Sequence, residues 1–456
     1  MLLSCYELGH QPLAAAWAAA VLADAGFTPR VRDLAIEEFT VASAVDAQMV
    51  VLLTPMHTAL RVAVRAARTI RAAQPTTCLV FAGLYAALNR DWLFAEALAD
   101  FVLAGEYEPA LAALALALSR GDPPAVDGVM RPGDAFHPLR RRVVLPLPAR
   151  RGLPPLSASA HLIVDGTERL AGAVESTRGC KHQCRHCPIP AVYGGHFVAV
   201  DADTVMADIA QLVAAGATHI TFADPDFFNG PTHGRRILRQ MHAAFPALTA
   251  DVTIKVEHLV EHAALLPELR AHGVIFVVSA VESLSPLVLE HLDKGHSRAD
   301  AERAAASCRA AGLAFRPTFV PFTPWTTLAD YQDMLDFIVG ADLIGHVDAV
   351  QYGIRLLVPP GSLLLRNADR AAAFGPLDPD AFSHRWTHPD PRMDRLAEAV
   401  AARVAHAAHV GDTPEVAFAA VCALVAEARG ETAPAEAMQP ALRVRQAPRL
   451  SEPWFC

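Results

Sequence analysis

The sequence lacks the features that define membrane and secreted proteins. Its uninterrupted apolar runs, such as Leu111–Leu118 between Glu108 and Arg120, are far shorter than the ~18 residues that a membrane-spanning helix needs. The first basic residue is Arg30, so the amino terminus also lacks the charged start of a secretory signal peptide. We therefore expect a cytoplasmic protein that has no membrane partner.

Basic charge, lysine and cysteine are all scarce. The net charge is −9, which argues against non-specific nucleic-acid binding, because such binding depends on a basic surface. Only three of the 39 basic residues are lysines, namely Lys181, Lys255 and Lys294. Eight cysteines in 456 residues are too few for a disulfide framework and indicate metal binding or catalysis.

The composition predicts a folded chain of more than one domain. Hydrophobic residues make up 53% of the chain and charged residues 19%, which excludes disorder for most of its length. A chain of 456 residues also exceeds the roughly 250–300 residues that one hydrophobic core supports. We predict an N-terminal α/β domain over 1–120, a Pro/Arg-rich linker over 121–165, a β/α barrel over 166–385 and a helical extension with a tail over 386–456.

Strands alternate with helices in the first domain, which predicts a Rossmann-like parallel sheet covered on both faces. The predicted strands are Leu2–Glu7, Arg30–Ala35, Met49–Thr54, Thr77–Ala82 and Phe101–Ala104. The predicted helices are Ala14–Ala25, Thr58–Ala73 and Pro109–Ser119. No G-x-G-x-x-G follows the first strand, so dinucleotide binding is not favoured.

The same alternation resumes after the linker, which we expect to be extended rather than packed, with Arg140–Arg142 facing solvent. The predicted strands are Ala173–Ser176, His219–Phe222, Asp251–Ile254, Ile275–Ser279, Ala314–Phe319 and Val347–Ile354. Six strands with intervening helices indicate a partial or full β/α barrel. The fold class is therefore α/β: a Rossmann-like sheet, then a barrel, then a helical C-terminal extension.

A cluster of cysteines is the strongest signal of function. Cys180, Cys184 and Cys187 form a C-x3-C-x2-C motif directly after a predicted strand. Three thiolates on one loop can hold three irons of a four-iron cluster and leave the fourth iron open to a small molecule. Zinc is the alternative, because it takes four ligands and nearby histidines could supply the last one: His182, His186 or His196.

This loop, on the first strand of a β/α barrel, resembles the radical S-adenosylmethionine (SAM) superfamily. The resemblance implies that Cys180, Cys184 and Cys187 hold a [4Fe–4S] cluster whose fourth iron chelates the methionyl amine and carboxylate of SAM. Electron transfer then cleaves the sulfonium to a 5′-deoxyadenosyl radical, which abstracts hydrogen. The implied partners are a reductant such as flavodoxin or ferredoxin and a small-molecule or peptide substrate that the sequence does not identify.

Residues beyond the cysteines extend the resemblance and imply contacts to SAM. Asp224 and Asp226 follow the second barrel strand, where the superfamily holds the methionyl amine. Glu282 ends the fourth strand, like the glutamate of the superfamily near the ribose, and we assign Ser279 on the same strand to the cofactor site as well. The three carboxylates could instead be structural groups that cap helices.

Residues 1–120 resemble the cobalamin-binding domain of many relatives. The residues that this likeness implies as cobalamin contacts are Gly83, Gly105 and Glu106. The D-x-H-x-x-G signature, which supplies an axial histidine to cobalt, is absent, and the segment ending at His10 has a different spacing. Bound cobalamin would favour radical methylation, whereas without it we expect hydrogen abstraction followed by rearrangement or by sulfur or selenium handling.

A narrower likeness covers nearly the whole chain. Segments such as Asp224–Gly230, Thr253–His258 and Phe322–Trp325 resemble a family named for a tail that reads Cys-Cys-Ala-Glu-Pro or Cys-selenocysteine-Ala-Glu-Pro. The second tail residue would follow Cys456, so we expect the gene to continue there through a UGA codon for selenocysteine. A UAA or UAG codon would contradict this expectation, and a plain tail cysteine is the alternative.

Two of the rare lysines are candidate catalytic residues. The other 36 basic residues are arginines, and a planar, always-charged guanidinium does not replace a compact ammonium that can lose its proton. We predict that Lys255 and Lys294 face the mouth of the barrel and contact the cofactor or a substrate carboxylate. The alternative is that the lysines are chance survivors of codon bias.

Residues 258–262 match H-x-x-E-H, a zinc-peptidase pattern. Such short matches are common in a chain with 20 histidines, so a solvated helix face or a substrate contact is the favoured interpretation. The sequence as a whole predicts an iron–sulfur enzyme that cleaves SAM reductively. The alternative is a non-catalytic α/β protein that binds zinc or an electron-transfer cluster through Cys180, Cys184 and Cys187.

Overall fold

The computed structural model describes residues 1–44, 46–122, 126–431 and 446–452. The first sheet has the strand order β2-β1-β3-β4-β5-β6, parallel except for β6. Its strands are β1 (Leu2–Ser4), β2 (Val31–Asp33), β3 (Met49–Leu53), β4 (Cys78–Ala82), β5 (Phe101–Leu103) and β6 (Val129–Met130). Its helices are α1 (Leu13–Asp24), α2 (His57–Ala73), α3 (Leu84–Leu88), α4 (Arg90–Ala95) and α5 (Glu108–Arg120).

The predicted strands and helices of this domain are confirmed to within a few residues at each end. The short helices α3 and α4 and the antiparallel strand β6 were not predicted. Helix α1 is buried on nearly all sides because it lies between the two sheets. Ala15 and Ala18 pack on the first sheet, whereas Leu13 and Trp17 belong to the core of the second. Helix α1 therefore contributes to the cores of both domains.

The second sheet is a partial barrel with the order β14-β13-β12-β11-β8-β7-β17, in which β8 and β11 to β14 run parallel. Its strands are β7 (His161–Val164), β8 (Thr167–Val174), β11 (His219–Phe222), β12 (Thr249–Thr253), β13 (Val274–Glu282), β14 (Ala314–Phe319) and β17 (Arg449–Leu450). Two small antiparallel pairs are β9 (Thr177–Gly179) with β10 (Phe197–Ala199), and β15 (Leu377–Asp378) with β16 (Ser383–His384).

Helices cover the outer face of this sheet and extend beyond it. They are α6 (Ile189–Tyr193), α7 (Ala202–Ala214), α8 (Pro231–Ala244), α9 (Val256–Glu261), α10 (Leu266–Ala271), α11 (Pro286–Leu292), α12 (Arg298–Ala310), α13 (Leu328–Gly340), α14 (Ala368–Ala371), α15 (Pro391–Val410) and α16 (Pro414–Arg429). Helices α15 and α16 pack on each other and on the barrel core, which confirms the helical extension as far as Arg429. No helix among the described residues is both long and apolar enough to cross a membrane.

The predicted sixth barrel strand, Val347–Ile354, is wrong. Residues Ala349–Tyr352 form a 3₁₀ helix. The side-chain oxygen of Gln351 accepts a hydrogen bond from the backbone N–H of Phe319 in β14 at 2.9 Å. The Gln351 side chain thus accepts a hydrogen bond from a backbone N–H of β14 that a sixth strand would have used. The barrel therefore remains partial.

The linker is extended, as predicted, but parts of it are packed, which corrects the expectation of an unpacked connection. The backbone N–H of Leu139 donates to the carbonyl of Ala104 at the end of the first sheet. The buried guanidinium of Arg150 makes two hydrogen bonds to Asp208, at 2.7 and 2.9 Å. Arg140–Arg142 are exposed, as expected. The linker therefore helps to join the two domains.

Candidate active site

The three motif cysteines lie on one loop at the carboxyl end of β8, between β9 and α6. Cys184 is buried, and Cys180 and Cys187 are half-buried. Burial raises the pKa of Cys180 to about 11 and that of Cys187 to about 12, and the neighbouring cysteines add to the shift. Three soft sulfur donors on one short loop fit an iron–sulfur cluster, which binds thiolates.

Asn229 fixes the start of this loop. Its side-chain oxygen accepts from the backbone N–H of Lys181 at 3.2 Å and lies 3.6 Å from the Cys180 sulfur, while its amide donates to the carbonyl of Gly179. At the other end, the Ser362 hydroxyl donates to the carbonyl of Arg185 at 3.1 Å. Sequence reasoning noticed the segment that contains Asn229 but assigned no role to Asn229 or to Ser362.

Asp224 also holds the protein backbone near the cluster loop. One carboxylate oxygen accepts from the Ser176 N–H at 2.7 Å, and the other accepts from the hydroxyls of Ser176 and Thr177 at 2.6 Å. Burial raises the pKa of Asp224 to about 7, against the effect of these hydrogen bonds. The arrangement favours the structural interpretation of Asp224, and its contact with SAM stays a prediction.

Glu282 and Lys294 form a buried pair beside the cysteines. Lys294 Nζ lies 3.4 Å from Glu282 Oε1, and His186 Nε2 lies 3.2 Å from the same oxygen. Burial alone would raise the pKa of Glu282, but Lys294 and His186 lower it to about 2. The Glu282 backbone has a φ of 64°, a strained conformation that is typical of functional sites when it occurs outside glycine.

Lys255 also lies beside the loop, in contact with His182. Its Nζ is 2.7 Å from Glu257 Oε2 and 3.2 Å from His182 Nδ1. His182 in turn faces His258, with 3.2 Å between their Nε2 atoms, and lies 3.6 Å from Asp226 Oδ2. Lys255 and Lys294 thus both lie near the cysteine loop, each paired with a carboxylate, and their contact with the cofactor or a substrate stays a prediction.

Asp226 faces two histidines. Its Oδ2 is 2.7 Å from His258 Nδ1, and burial alone would raise its pKa, but His182 and His258 lower it to about 2. The H-x-x-E-H pattern is not assembled as in a zinc peptidase, because Glu261 is exposed and His262 packs against Phe228 instead. Only its first histidine joins the site, with partners that lie far away in the sequence.

Ser279 does not belong to the group of residues around the cysteine loop. It shares the strand face of Val277 and Val281, which pack into the core under the helices. Its hydroxyl is fully buried and has no hydrogen-bond partner among the described residues. This position argues against a direct contact between Ser279 and SAM.

A cavity of about 200 Å³ lies between the two domains, next to the cluster loop. Thr54, Gly83 and Gly105, at the carboxyl ends of β3, β4 and β5, line one side, and Arg178 and Gly179 line the other. Pockets for drug-sized ligands measure ~300–1,000 Å³, so a corrinoid would fit here only in part unless the domains separate. His10 is not among the lining residues, so it does not act as an axial ligand in this cavity.

Gly105 and Glu106 have partners within the chain. A Cβ at Gly105 would clash with the Leu139 carbonyl, so the missing side chain makes room for the linker. Glu106 lies 3.5 Å from Arg178 Nη1 and accepts from the Tyr193 hydroxyl at 3.1 Å. Burial raises the pKa of Glu106 to about 7 despite Arg178. Contact of these residues with cobalamin stays a prediction.

The positive charge of Arg178 offsets the negative charges of several buried carboxylates at the domain boundary. Its Nη1 lies 2.6 Å from Glu108 and its Nε lies 2.8 Å from Glu175. The guanidinium also lies 5.3 Å from the centre of the Trp17 ring. Sequence reasoning missed this network, because its members come from both domains.

Residues 174–338 match the family model of the radical SAM superfamily. The chain therefore contains a radical SAM domain, which confirms the resemblance at the level of the superfamily, and the cysteine loop lies within the matched segment. Enzymatic function, SAM and an iron–sulfur cluster follow from this domain, and the substrate is not established.

Relatives and solved structures agree with this domain. The ribosomal protein uS12 methylthiotransferase RimO of Thermus thermophilus is 27% identical over 237 residues, which cover 48% of this chain and 54% of RimO. The chain thus spans about half the length of this curated relative. The radical SAM methyltransferase TsrM from Kitasatospora setae has a TM-score of 0.66 at 18% identity, covering 88% of both chains. The cobalamin-dependent radical SAM enzyme OxsB has a TM-score of 0.66 at 14% identity, covering 87% of this chain and 65% of OxsB. These two similarities show a shared two-domain α/β fold.

Proposed function

We propose that this protein cleaves SAM reductively to generate a 5′-deoxyadenosyl radical that acts on a small-molecule or peptide substrate. The observation that carries the proposal is the loop of three cysteines at the carboxyl ends of a partial barrel, within the segment that matches the superfamily. When bound, a [4Fe–4S] cluster supplies the electron that breaks the sulfonium bond. Flavodoxin or ferredoxin is the proposed reductant.

The residues around the loop have separate roles in this proposal. Cys180, Cys184 and Cys187 would hold three irons. Lys294 and Glu282, which are paired and buried beside the loop, would bind polar groups of SAM, since charge-assisted hydrogen bonds are strong where water is excluded.

The test is SAM cleavage by the anaerobically reconstituted full chain, with dithionite as reductant and 5′-deoxyadenosine as the product measured. We expect product from the wild type and none from Cys184→Ala. Cys422→Ala, on α16 and outside the loop, is the matched control and should retain activity. No product from a wild-type chain that holds about four irons would contradict the proposal.

Cobalamin-dependent methyl transfer is a second candidate, favoured by the cavity between the sheets and by the fold shared with TsrM and OxsB. Because the cavity is small, corrinoid binding would require the two domains to move apart. Reconstitution with hydroxocobalamin followed by gel filtration tests this candidate, since bound corrinoid has a characteristic visible spectrum. A chain that elutes without corrinoid would leave hydrogen abstraction as the proposed chemistry.

The non-catalytic alternative makes a different prediction about metal content. Zinc or an electron-relay cluster on the cysteine loop would give a chain that never forms 5′-deoxyadenosine. Stoichiometric zinc without iron after anaerobic purification would favour that alternative.

We also propose membership of the family with the Cys-Cys-Ala-Glu-Pro or Cys-selenocysteine-Ala-Glu-Pro tail. Segments such as Phe322–Trp325 support the proposal, whereas Cys456 lies outside the described residues. Mass spectrometry of the protein from its native source, read for a C-terminal Cys-Cys-Ala-Glu-Pro or Cys-selenocysteine-Ala-Glu-Pro tail, is the direct test.

A further inference from the structure

Three potential metal ligands converge beside the cluster loop although they lie far apart in the sequence. His182 belongs to the loop, Asp226 follows β11, and His258 lies on α9 after β12. One ligand atom from each of the three side chains lies within 4.8 Å of the other two. Such a set, two imidazoles and a carboxylate, is the donor group that divalent transition metals take in proteins.

The ligand atoms of this group are buried and close together. Asp226 Oδ2 and His258 Nδ1 lie 2.7 Å apart, within hydrogen-bonding distance, and both side chains are only 2% exposed. Buried polar groups of this kind are nearly always satisfied by a hydrogen bond, a water or an ion. A proton on His258 Nδ1 satisfies the pair without metal, and a cation that replaces this proton takes both atoms as ligands.

The outer contacts orient the ligands. The other oxygen of Asp226 accepts from the Phe228 N–H at 3.0 Å, which fixes the carboxylate with Oδ2 turned toward the histidines. Lys255 Nζ lies 3.2 Å from His182 Nδ1, so the other ring nitrogen, Nε2, is the one that faces Asp226 and His258. Lys255 is kept nearby by Glu257, so the group as a whole carries one net negative charge to offset a dication.

We propose that His182, Asp226 and His258 form a binding site for a divalent transition-metal ion such as Fe²⁺, Zn²⁺, Co²⁺ or Mn²⁺, distinct from the cysteine cluster. The nitrogen donors disfavour Mg²⁺ and Ca²⁺, which take oxygen ligands. His182 retains 15% exposure of its side chain, so the open coordination positions face the mouth of the barrel. A metal here binds an oxygen or nitrogen group of the substrate as a Lewis acid and positions it beside the cluster loop.

The test is the binding of Co²⁺ to the full chain in which Cys180, Cys184 and Cys187 are all replaced by alanine, so that no thiolate of the loop competes. We expect one cobalt per chain, with ligand-field bands in the visible spectrum and no thiolate-to-cobalt charge-transfer band. His182→Ala and His258→Ala, made in the same background, should each weaken cobalt binding by about tenfold or more.

Two further variants distinguish the loss of a metal ligand from the unfolding of the chain. Asp226→Asn keeps the shape of the side chain and should also weaken binding, while the thermal midpoint without metal tells whether the chain still folds. His262→Ala removes a neighbouring histidine that lies outside the group and should bind cobalt like its parent.

The chain with its cysteines intact provides the second measurement. After anaerobic reconstitution and dialysis against Zn²⁺, elemental analysis should find one zinc per chain in addition to about four irons, and His258→Ala should lose only the zinc. Absence of stoichiometric metal in the cysteine-free chain, or equal binding by His182→Ala and its parent, would overturn the proposal and leave the group as a hydrogen-bonded brace. Formation of 5′-deoxyadenosine is scored separately, so failure of this site and failure of the radical chemistry are distinguishable.

Discussion

Arg178 offers the sharpest test of how the two domains hold together. Its guanidinium contacts Glu108 at 2.6 Å, Glu175 at 2.8 Å and Glu106 at 3.5 Å, and it is buried at the domain boundary. Arg178→Met keeps most of the apolar packing against Trp17 but leaves these carboxylates without a cation. Removing one partner of a buried ion pair costs about 3–5 kcal/mol, so we expect a loss of that size in unfolding free energy at pH 8.

The loss should shrink at lower pH, and the sign follows from Glu106. Burial already raises the pKa of Glu106 to about 7, and Arg178 is one of the groups that lower it, so the variant raises the folded-state pKa further. A carboxyl whose pKa is higher in the folded state than in the unfolded state destabilises the fold when ionised. Below the folded pKa, and down to the unfolded value of about 4.3, each pH unit recovers about 1.4 kcal/mol per proton taken up.

Urea unfolding at pH 8 and at pH 6 measures both quantities. Arg142→Met, at a side chain that is 70% exposed, is the matched control and should change stability by no more than about 0.5 kcal/mol. The double variant with Glu108→Gln should be more stable than Arg178→Met alone, because one buried charge has gone. A loss below about 1 kcal/mol, or one that is the same at both pH values, would refute the reasoning.

Three further changes test single contacts. Gln351→Leu should lower the unfolding free energy by about 1–3 kcal/mol, because a backbone N–H of β14 loses its acceptor. Urea unfolding measures this loss, with Gln332→Leu on α13 as the control. Equal losses in the two variants would contradict a specific role for the Gln351 hydrogen bond. Gly105→Ala should lower the thermal midpoint, because a Cβ meets the Leu139 carbonyl and the φ of 72° disfavours alanine; an unchanged midpoint would be inconsistent with this clash. Lys255→Arg should slow SAM cleavage by roughly tenfold, about 1.4 kcal/mol in the barrier, at unchanged iron content; a wild-type rate would count against a role in catalysis.

Local periodicity predicted most of the fold. The strands His219–Phe222 and Ala314–Phe319 were predicted with the bounds that the structure gives, because short apolar runs between helices leave few alternatives. The strand prediction for Val347–Ile354 failed because of a tertiary contact. The apolar residues resemble a strand, but the Gln351 side chain accepts the hydrogen bond of a β14 backbone N–H. No local pattern contains that contact.

The candidate site, like the fold, has parts that the sequence predicted and parts that it did not. Cys180, Cys184 and Cys187 lie within eight residues, so their spacing in the sequence already reports their proximity in space. His182 and His258 are 76 residues apart, and only the parallel order of β8, β11 and β12 brings them together. The H-x-x-E-H pattern drew attention to His258 for a reason that the structure does not support. A long-range ligand set of this kind has no signal in a single sequence.

The scarcity of lysine becomes informative when it is set beside burial. Lys181 is exposed, and nothing in the structure explains why it is not arginine. Lys255 and Lys294 are buried, and each has its ammonium against one carboxylate and beside a histidine or the cysteine loop. An arginine in either place would bring five donors in a rigid fork to a site with few acceptors, and each buried donor left unpaired costs about 1–3 kcal/mol. Desolvation thus accounts for lysine at the two buried positions, and it is at those positions, not at Lys181, that the choice of cation bears on the chemistry of the cluster loop.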